Sequence, residues 1–202
     1  DPATGRPLDW LYLTCKRVQH GSNYDMHAQR TCELVFGDSD GTIDLAKKDA
    51  ELYQYFYKLR YKTDSRNDWI RKTLSQTSCI ITSCGIRRQF FGIRNRADID
   101  DAVVREASAV NPQANTTYVT NTALANLWYD PANRRRDGGL FVEPLIQVHD
   151  AIAGPFLAAH RPFAAGKLRQ WFTVPIVVQG VLVNIPVDCK FGPNWKECKQ
   201  AL

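Results

Sequence analysis

Apolar positions recur near the 3.6-residue period over residues 8–30, where Leu8, Leu11, Cys15, Val18 and Ser22 fall on one side and Asp9 sits in the first turn. This pattern predicts a first helix. The run Gly37-Asp38-Ser39-Asp40-Gly41 breaks it. A second helix is predicted over 45–62, capped by Asp44, with Leu45, Leu52, Phe56 and Leu59 on one side. A third, over 64–76, carries Trp69, Ile70 and Leu74. The period then changes. Ser78–Thr82 is short and β-branched, Ser83-Cys84-Gly85 supplies a turn, and Ile86–Phe91 completes a hairpin pattern. Residues 98–129 return to a helical pattern, with a break expected at Asn111-Pro112. Beyond it, Pro131–Gly139 reads as a loop, Leu140–Ile152 as extended, 161–172 as helix and 174–190 as strand-rich. The order helices, hairpin, helix, strands predicts an α+β fold with helices segregated from an antiparallel sheet.

Composition narrows the class. A chain of 202 residues, 44% apolar and 23% charged, has the balance of a soluble globular protein with one core or two small subdomains. No run of eighteen apolar residues occurs, so no membrane span is expected. Residues 1–7 lack the charged and apolar regions of a signal peptide and an initiator Met, which suggests a processed chain or a piece of a longer one. The six cysteines show no CxxC pair and no Cys/His ligand spacing, so reduced, mostly buried thiols in an intracellular protein are expected. A net charge of +5 suits a polyanionic partner. The bases cluster at Lys58–Arg66, at Arg87, Arg88, Arg94 and Arg96, and at Arg134-Arg135-Arg136; the second cluster interleaves with Phe90 and Phe91, as a nucleic-acid face would.

Two stretches carry candidate chemistry. In Lys16-Arg17-Val18-Gln19-His20-Gly21-Ser22-Asn23-Tyr24, a cation and two rings stand at i, i+4 and i+8, one drifting stripe of a helix spanning about 12 Å at 1.5 Å per residue. Such a row suits the phosphates, sugar and base of a nucleoside triphosphate. Gly21 costs the helix about 1 kcal/mol against Ala, and a close backbone or base approach would account for it. In Leu145–Gly154, Asp150 ends an apolar extended run after His149. A carboxylate at a hairpin tip is a hard oxygen ligand of the kind that two-metal phosphoryl transfer requires.

Together these stretches resemble family A DNA polymerases. Lys16–Tyr24 is similar to that family's motif B, K-x-x-x-[FYH]-G-x-x-Y, on the nucleotide-binding helix of the fingers. The resemblance implies that Lys16 contacts the incoming triphosphate, His20 its sugar and base, and Tyr24 the templating position. The family's Arg four residues before the lysine is Tyr12 here, with Arg17 a candidate substitute, and its Gly after the tyrosine is Asp25. Gln147-Val148-His149-Asp150 resembles motif C, Q-[VI]-H-D-E, with Ala151 in place of the Glu. By that match Asp150 is a catalytic metal ligand and His149 touches the primer terminus. Gly85–Gly92 resembles a basic hairpin, assigning Arg87 and Arg88 to DNA. Residues 105–116 resemble a helix whose arginine and glutamine face the primer–template minor groove, here Arg105 and Gln113. Asp188–Glu197 resembles the family's terminal V-x-V-G-x-N-W-x-E.

The resemblance implies a right-hand polymerase, with fingers over 1–97 and the C-terminal part of the palm over 98–202. It implies two Mg²⁺ ions, primer–template DNA and deoxynucleotides as partners, and no membrane. The family's first catalytic Asp, in motif A, has no counterpart in the fifteen residues before Lys16. It is therefore expected in an upstream segment or subunit, along with the thumb and any exonuclease domain. A phage origin, acting in the cytoplasm of a bacterial host, would suit the compact motifs. Two other readings stay open: a fragment of a single-subunit phage-type RNA polymerase, and a non-catalytic DNA-binding module derived from a polymerase.

Overall fold

A computed structural model describes residues 9–93 and 95–202, the side chain of Asp9 excepted. Leu8, Arg94 and the N-terminal residues read for targeting lie outside the described residues. The elements are α1 (Asp9–Asn23), α2 (Ala28–Asp38), α3 (Lys47–Tyr61), α4 (Thr63–Thr77), β1 (Cys79–Ile81), β2 (Arg87–Gln89) and α5 (Asp101–Tyr129). They continue with β3 (Ile146–Val148), β4 (Ala151–Ala153), α6 (Arg161–Phe172), β5 (Pro175–Val178), β6 (Val181–Asn184), β7 (Lys190–Phe191) and β8 (Gln200–Ala201). The protein is α+β. Among the described residues the strands form four two-stranded ladders, β1–β2, β3–β4, β5–β6 and β7–β8.

Four sequence expectations change. The helix expected over 8–30 is two helices, because the chain turns at Tyr24–His27. Asp25 adopts φ 53° there, and the amides of Tyr24 and Met26 both return to the Gly21 carbonyl, at 3.2 and 2.8 Å. This C-terminal turn closes without the Gly or Pro that would have marked it in the sequence. Asp44 does not cap α3; Ala46 holds that position, with no side-chain cap. The side of α3 bearing Leu52, Phe56 and Leu59 is exposed, and the packed side is that of Ala50 and Gln54. Finally, α5 runs unbroken through Pro112. An interior proline removes one ladder bond and costs about 3 kcal/mol. Here Val104 and Ala107 before it, and Val119 and Leu127 after it, are buried in hydrophobic clusters whose packing offsets that cost.

Two compact units divide the chain, one of Asp1–Ile80 with Arg87–Val110, the other of Ile81–Ile86 with Asn111–Leu202. The subdomain boundary expected at 97/98 falls within the first. In that unit α4, β1 and the start of α5 share a core of Ile70, Leu74, Ile80, Phe90, Ile99 and Val104. Helices α1, α2 and α3 bury Val18, Val35 and Ala50, with the polar Thr14, Ser22, Thr31 and Gln54 among them. The second unit has two clusters. Leu127, Val142, Ala164 and Trp171 form one; Val119, Val174 and Ile176 form the other. All six cysteines are unpaired thiols, and the burial expected for most of them holds fully only for Cys79.

A polar knot joins α5 to α6. Asp130 accepts hydrogen bonds from Lys167 Nζ, Trp171 Nε1 and the Ala132 amide, each at 2.8 Å. These donors favour its charged form and hold its pKa at about 2, below the ordinary 3.8. A depressed carboxylate pKa contributes stability above the unfolded value and loses it as pH falls through the folded one. About 2 kcal/mol should therefore disappear between about pH 4 and pH 2. Asp130→Asn is expected to lose about that much stability at pH 7 yet nearly match the parent at pH 2, as urea melts at the two pH values would read. A parallel offset at both values would place the effect in packing instead.

Candidate functional site

Helix α1 sorts its residues into two faces. Thr14, Val18, Gly21 and Ser22 are buried against neighbouring helices, while Lys16 and His20 are exposed. Of the sequence-expected apolar set, Val18 and Ser22 lie inward, whereas Leu11 and Cys15 are exposed. Lys16 Nζ lies 6.0 Å from the Tyr12 ring, and the His20 and Tyr24 rings meet edge to face at 4.8 Å. Tyr12, Lys16, His20 and Tyr24 thus form a stripe of ring, cation and two rings at four-residue steps. Tyr24 belongs to this stripe although the helix ends at Asn23 and Tyr24 stands in the following turn.

Gly21 has a different reason from the one expected. A Cβ there would sit 2.9 Å from Thr31 Oγ1 on α2 and 3.6 Å from Gln54 Nε2 on α3. The glycine lets α1 approach a buried polar cluster, in which Gln54 Nε2 donates to Thr31 Oγ1 and to the Met26 carbonyl, both at 3.0 Å. The demand for a small residue comes from behind the helix, not from its exposed stripe.

The turn after α1 is held by cations on α3 and α4. Lys58 Nζ lies 2.7 Å from Asp25 Oδ1, and the Arg66 guanidinium donates to the Asn23 carbonyl at the end of α1. Tyr57 adds a hydrogen bond to Asn23 Oδ1 at 3.2 Å. Burial pulls the pKa of Arg66 below its ordinary value, against the opposing influence of Tyr57, Tyr24 and Asp25. A cation at a helix C-terminus satisfies orphan carbonyls and complements the dipole. Asp25 fills a left-handed position where glycine is the default, which explains physically how Asp can stand where motif B has Gly. Sequence reading placed Lys58 and Arg66 in a basic cluster but missed their fastening role, since the pairing spans more than thirty residues.

Arg17, the candidate substitute on the phosphate side, is ion-paired with Asp38 at the end of α2. Lys16 is therefore the cation on the exposed stripe among the described residues. Tyr24, Asp25, Met26, His27, Arg30 and Arg105 line a shallow concavity of about 300 Å³. The structure thus brings together Tyr24 and Arg105, residues read from separate motifs. On the hairpin, Arg88 pairs with Glu106 of α5 at 2.6 Å and lies over the Phe90 ring, while exposed Arg87 reaches Gln89. Gln113 is exposed on the part of α5 that belongs to the second unit.

In that second unit, the run expected to be extended over 140–152 folds back on itself. Ile146 pairs with Ala153, Gln147 with Ile152 and Val148 with Ala151, leaving His149 and Asp150 as a two-residue tip. Both are exposed, and His149 takes the positive φ of 53° that such tight loops require. The Val142–Phe156 bridge, farther from the tip, is one residue out of register with the β3–β4 pairs, so the first strand bulges near Pro144, which has no amide to give to a ladder. Gly154 stands across from that bulge, and a Cβ on it would lie 1.7 Å from the Glu143 carbonyl oxygen. Two contacts seat the hairpin on α5: Thr120 Oγ1 lies 3.3 Å from the Asp150 carbonyl, and Gln147 Nε2 donates to Asn121 Oδ1 at 2.8 Å. Neither Thr120 nor Asn121 carries a sequence signal that would have singled it out.

The Asp150 carboxylate fits one hard-oxygen position of a metal site. Among the described residues no group of three or more His, Cys, Asp or Glu side chains gathers to complete one. Near the C-terminus, a Cβ on Gly192 would lie 2.1 Å from the Glu197 carbonyl oxygen, and Asn194 Oδ1 accepts from the Glu197 amide at 3.1 Å. The G-x-N-W-x-E stretch is thereby a self-fastened turn. No helix of the described residues is long and apolar enough to cross a membrane. Comparison with family models and with curated proteins finds no match for this chain.

Proposed function

We propose that this chain is the fingers and C-terminal palm portion of a family A-type DNA polymerase of right-hand fold, adding deoxynucleotides to a primer 3′ end. One observation carries most of the support: Lys16 and His20 stand exposed and half-buried Tyr24 continues their stripe, behind which Gly21 packs closely and Lys58 and Arg66 fasten the following turn. In this reading Lys16 grips the triphosphate, the His20 ring borders sugar and base, and Tyr24 marks the templating position beside Arg105. Asp150 contributes one carboxylate to a pair of Mg²⁺ ions, and His149 positions the primer end. Bound there, Mg²⁺ would neutralise charge on the attacking and leaving oxygens. The second carboxylate, thumb and any exonuclease come from polypeptide other than these 202 residues. Arg87, Arg88, Arg105 and Gln113 contact the primer–template.

The test is primer extension with the chain alone and with a segment bearing motif A. Incorporation is expected only in the second case, with deoxynucleotides preferred over ribonucleotides. Ribonucleotide preference would favour the phage-type RNA polymerase. Nucleic-acid binding without incorporation under any pairing would favour the DNA-binding module. In the active assembly, Lys16→Ala removes a charge-assisted contact and is expected to weaken nucleotide use about ten- to a hundredfold with little change in DNA affinity. Equal loss of DNA affinity with unchanged nucleotide KM would assign Lys16 to the duplex.

A further inference from the structure

Tyr24 is the member of the Lys16, His20, Tyr24 stripe that no helix holds, since α1 ends at Asn23. Side chains from α3 and α4 grip both of its chain neighbours. On the near side the Arg66 guanidinium donates to the Asn23 carbonyl, and Tyr57 Oη donates to Asn23 Oδ1 at 3.2 Å. On the far side Lys58 Nζ donates to Asp25 Oδ1 at 2.7 Å. The two grips differ in consequence. Asn23 is helical and is placed by α1 itself. Asp25, at φ 53°, holds a conformation that a residue with a Cβ keeps only where its surroundings impose it. Any change of backbone at Asp25 must be absorbed close by. Met26 cannot absorb it, because its amide is pinned to the Gly21 carbonyl at 2.8 Å and its carbonyl accepts from Gln54 Nε2 at 3.0 Å. The slack falls to Tyr24.

We propose that Lys58 is a positioning residue for Tyr24: by clamping Asp25 it sets the pose of the Tyr24 ring, and with it the match between templating base and incoming nucleotide. The second clause rests on the polymerase reading; the first rests on the geometry of the turn alone. The Tyr24 ring meets His20 edge to face at 4.8 Å and walls the concavity that it shares with Arg30 and Arg105, so a shift of the ring is felt on both sides. The side chains of Lys58 and Asp25 are 32% and 39% exposed, and a pair that exposed adds little to global stability. What it biases is the local equilibrium of one turn, by a few-fold. Glycine takes that backbone conformation unaided. Replacing Asp25 by glycine therefore removes the carboxylate that Lys58 clamps and the need for the clamp together.

Two measurements test it, each on Lys58→Met in the parent and in the Asp25→Gly background. In the full 202-residue chain, the nuclear Overhauser contact between the His20 and Tyr24 rings should fall by about half in Lys58→Met, with the melting temperature almost unmoved. Lys58→Arg, which keeps a cation within reach of Asp25, should restore the contact. On the Asp25→Gly background Lys58→Met should change nothing further. In the assembly that incorporates nucleotides, Lys58→Met should raise mismatched over matched incorporation about fivefold, again only where Asp25 is present, with DNA affinity unchanged. A ring contact indifferent to Lys58→Met would overturn the proposal. So would equal losses in both backgrounds, which would mean that Lys58 touches nucleotide or DNA directly. A melting temperature that drops while the ring contact holds would make the pair a structural tie only. A ring contact that responds as expected in a chain whose every assembly fails to incorporate would overturn the polymerase reading and uphold the positioning of Tyr24 by Lys58.

Discussion

In the polymerase assembly proposed above, Asp150→Asn should abolish nucleotide incorporation while leaving primer–template binding intact. Asparagine keeps the size of the side chain but removes the negative charge that a hard divalent cation demands. The charge stabilisation supplied through such a ligand is worth several kcal/mol, so incorporation should fall about a thousandfold or more. The fold should be indifferent, because the side chain is exposed at the tip and the hairpin is fastened through the Asp150 backbone carbonyl. DNA affinity should hold or rise slightly, since a carboxylate near phosphates is gone. His149→Ala should cost much less activity, as it takes away one contact and leaves the carboxylate in place. Ala151→Glu should be tolerated, because Ala151 is exposed at the start of β4 and has room for the longer side chain. Single-turnover extension alongside a DNA-binding titration separates these outcomes. Near-normal turnover by Asp150→Asn would end the catalytic assignment.

Gly154→Ala is the substitution expected to cost the second unit most. The added methyl would meet the Glu143 carbonyl oxygen at 1.7 Å, and that obstacle is backbone, with no flexible side-chain end to swing aside. The strands must part across the bulge, loosening the 3.0 Å bond from the Leu145 amide to the Ala153 carbonyl and the 3.1 Å bond from the Glu143 amide to the Pro155 carbonyl. Overpacking against fixed backbone costs about 2–3 kcal/mol. Thermal melts should show the loss, and hydrogen exchange should show it concentrated at the Leu145 and Glu143 amides. Under the proposed function, incorporation should fall with it, because the displaced strands carry Asp150. Unchanged exchange at those amides would mean that the hairpin relaxes more cheaply than its geometry implies.

Much of the architecture was legible because it is written in local chemistry. Gly85 announced the β1–β2 turn, and the helix expected over 161–172 is α6 at its observed limits. The parts that were not legible depend on distant partners. Asp25 ends α1 with the help of Lys58, thirty-three residues away, in place of a breaker of its own. Pro112 announces a stop that packing on both sides overrides. For α3, periodicity located the helix but pointed to the wrong side as buried, since the small Ala50 and polar Gln54 that pack inward carry no apolar signal to compete with Leu52, Phe56 and Leu59. The stripe Lys16, His20, Tyr24 was readable from spacing alone, whereas the reason for Gly21 required the positions of Thr31 and Gln54.

Asn133 shows how one residue constrains the future of a sequence. Fully buried, it donates through Nδ2 to the Leu127 and Val142 carbonyls and accepts at Oδ1 from the Val142 amide, all within 2.9 to 3.0 Å. Its side chain works as a short length of backbone, completing a ladder that the main chain does not reach. No other residue type offers two donors and an acceptor at that reach. Aspartate lacks the donors, serine has one, and glutamine is a methylene too long. Each substitution strands a buried polar group, so the position cannot drift through neutral intermediates. Homologues that diverge freely on the surface should therefore keep asparagine here or replace the whole joint at once, which makes this site a better marker of descent than the exposed motif residues.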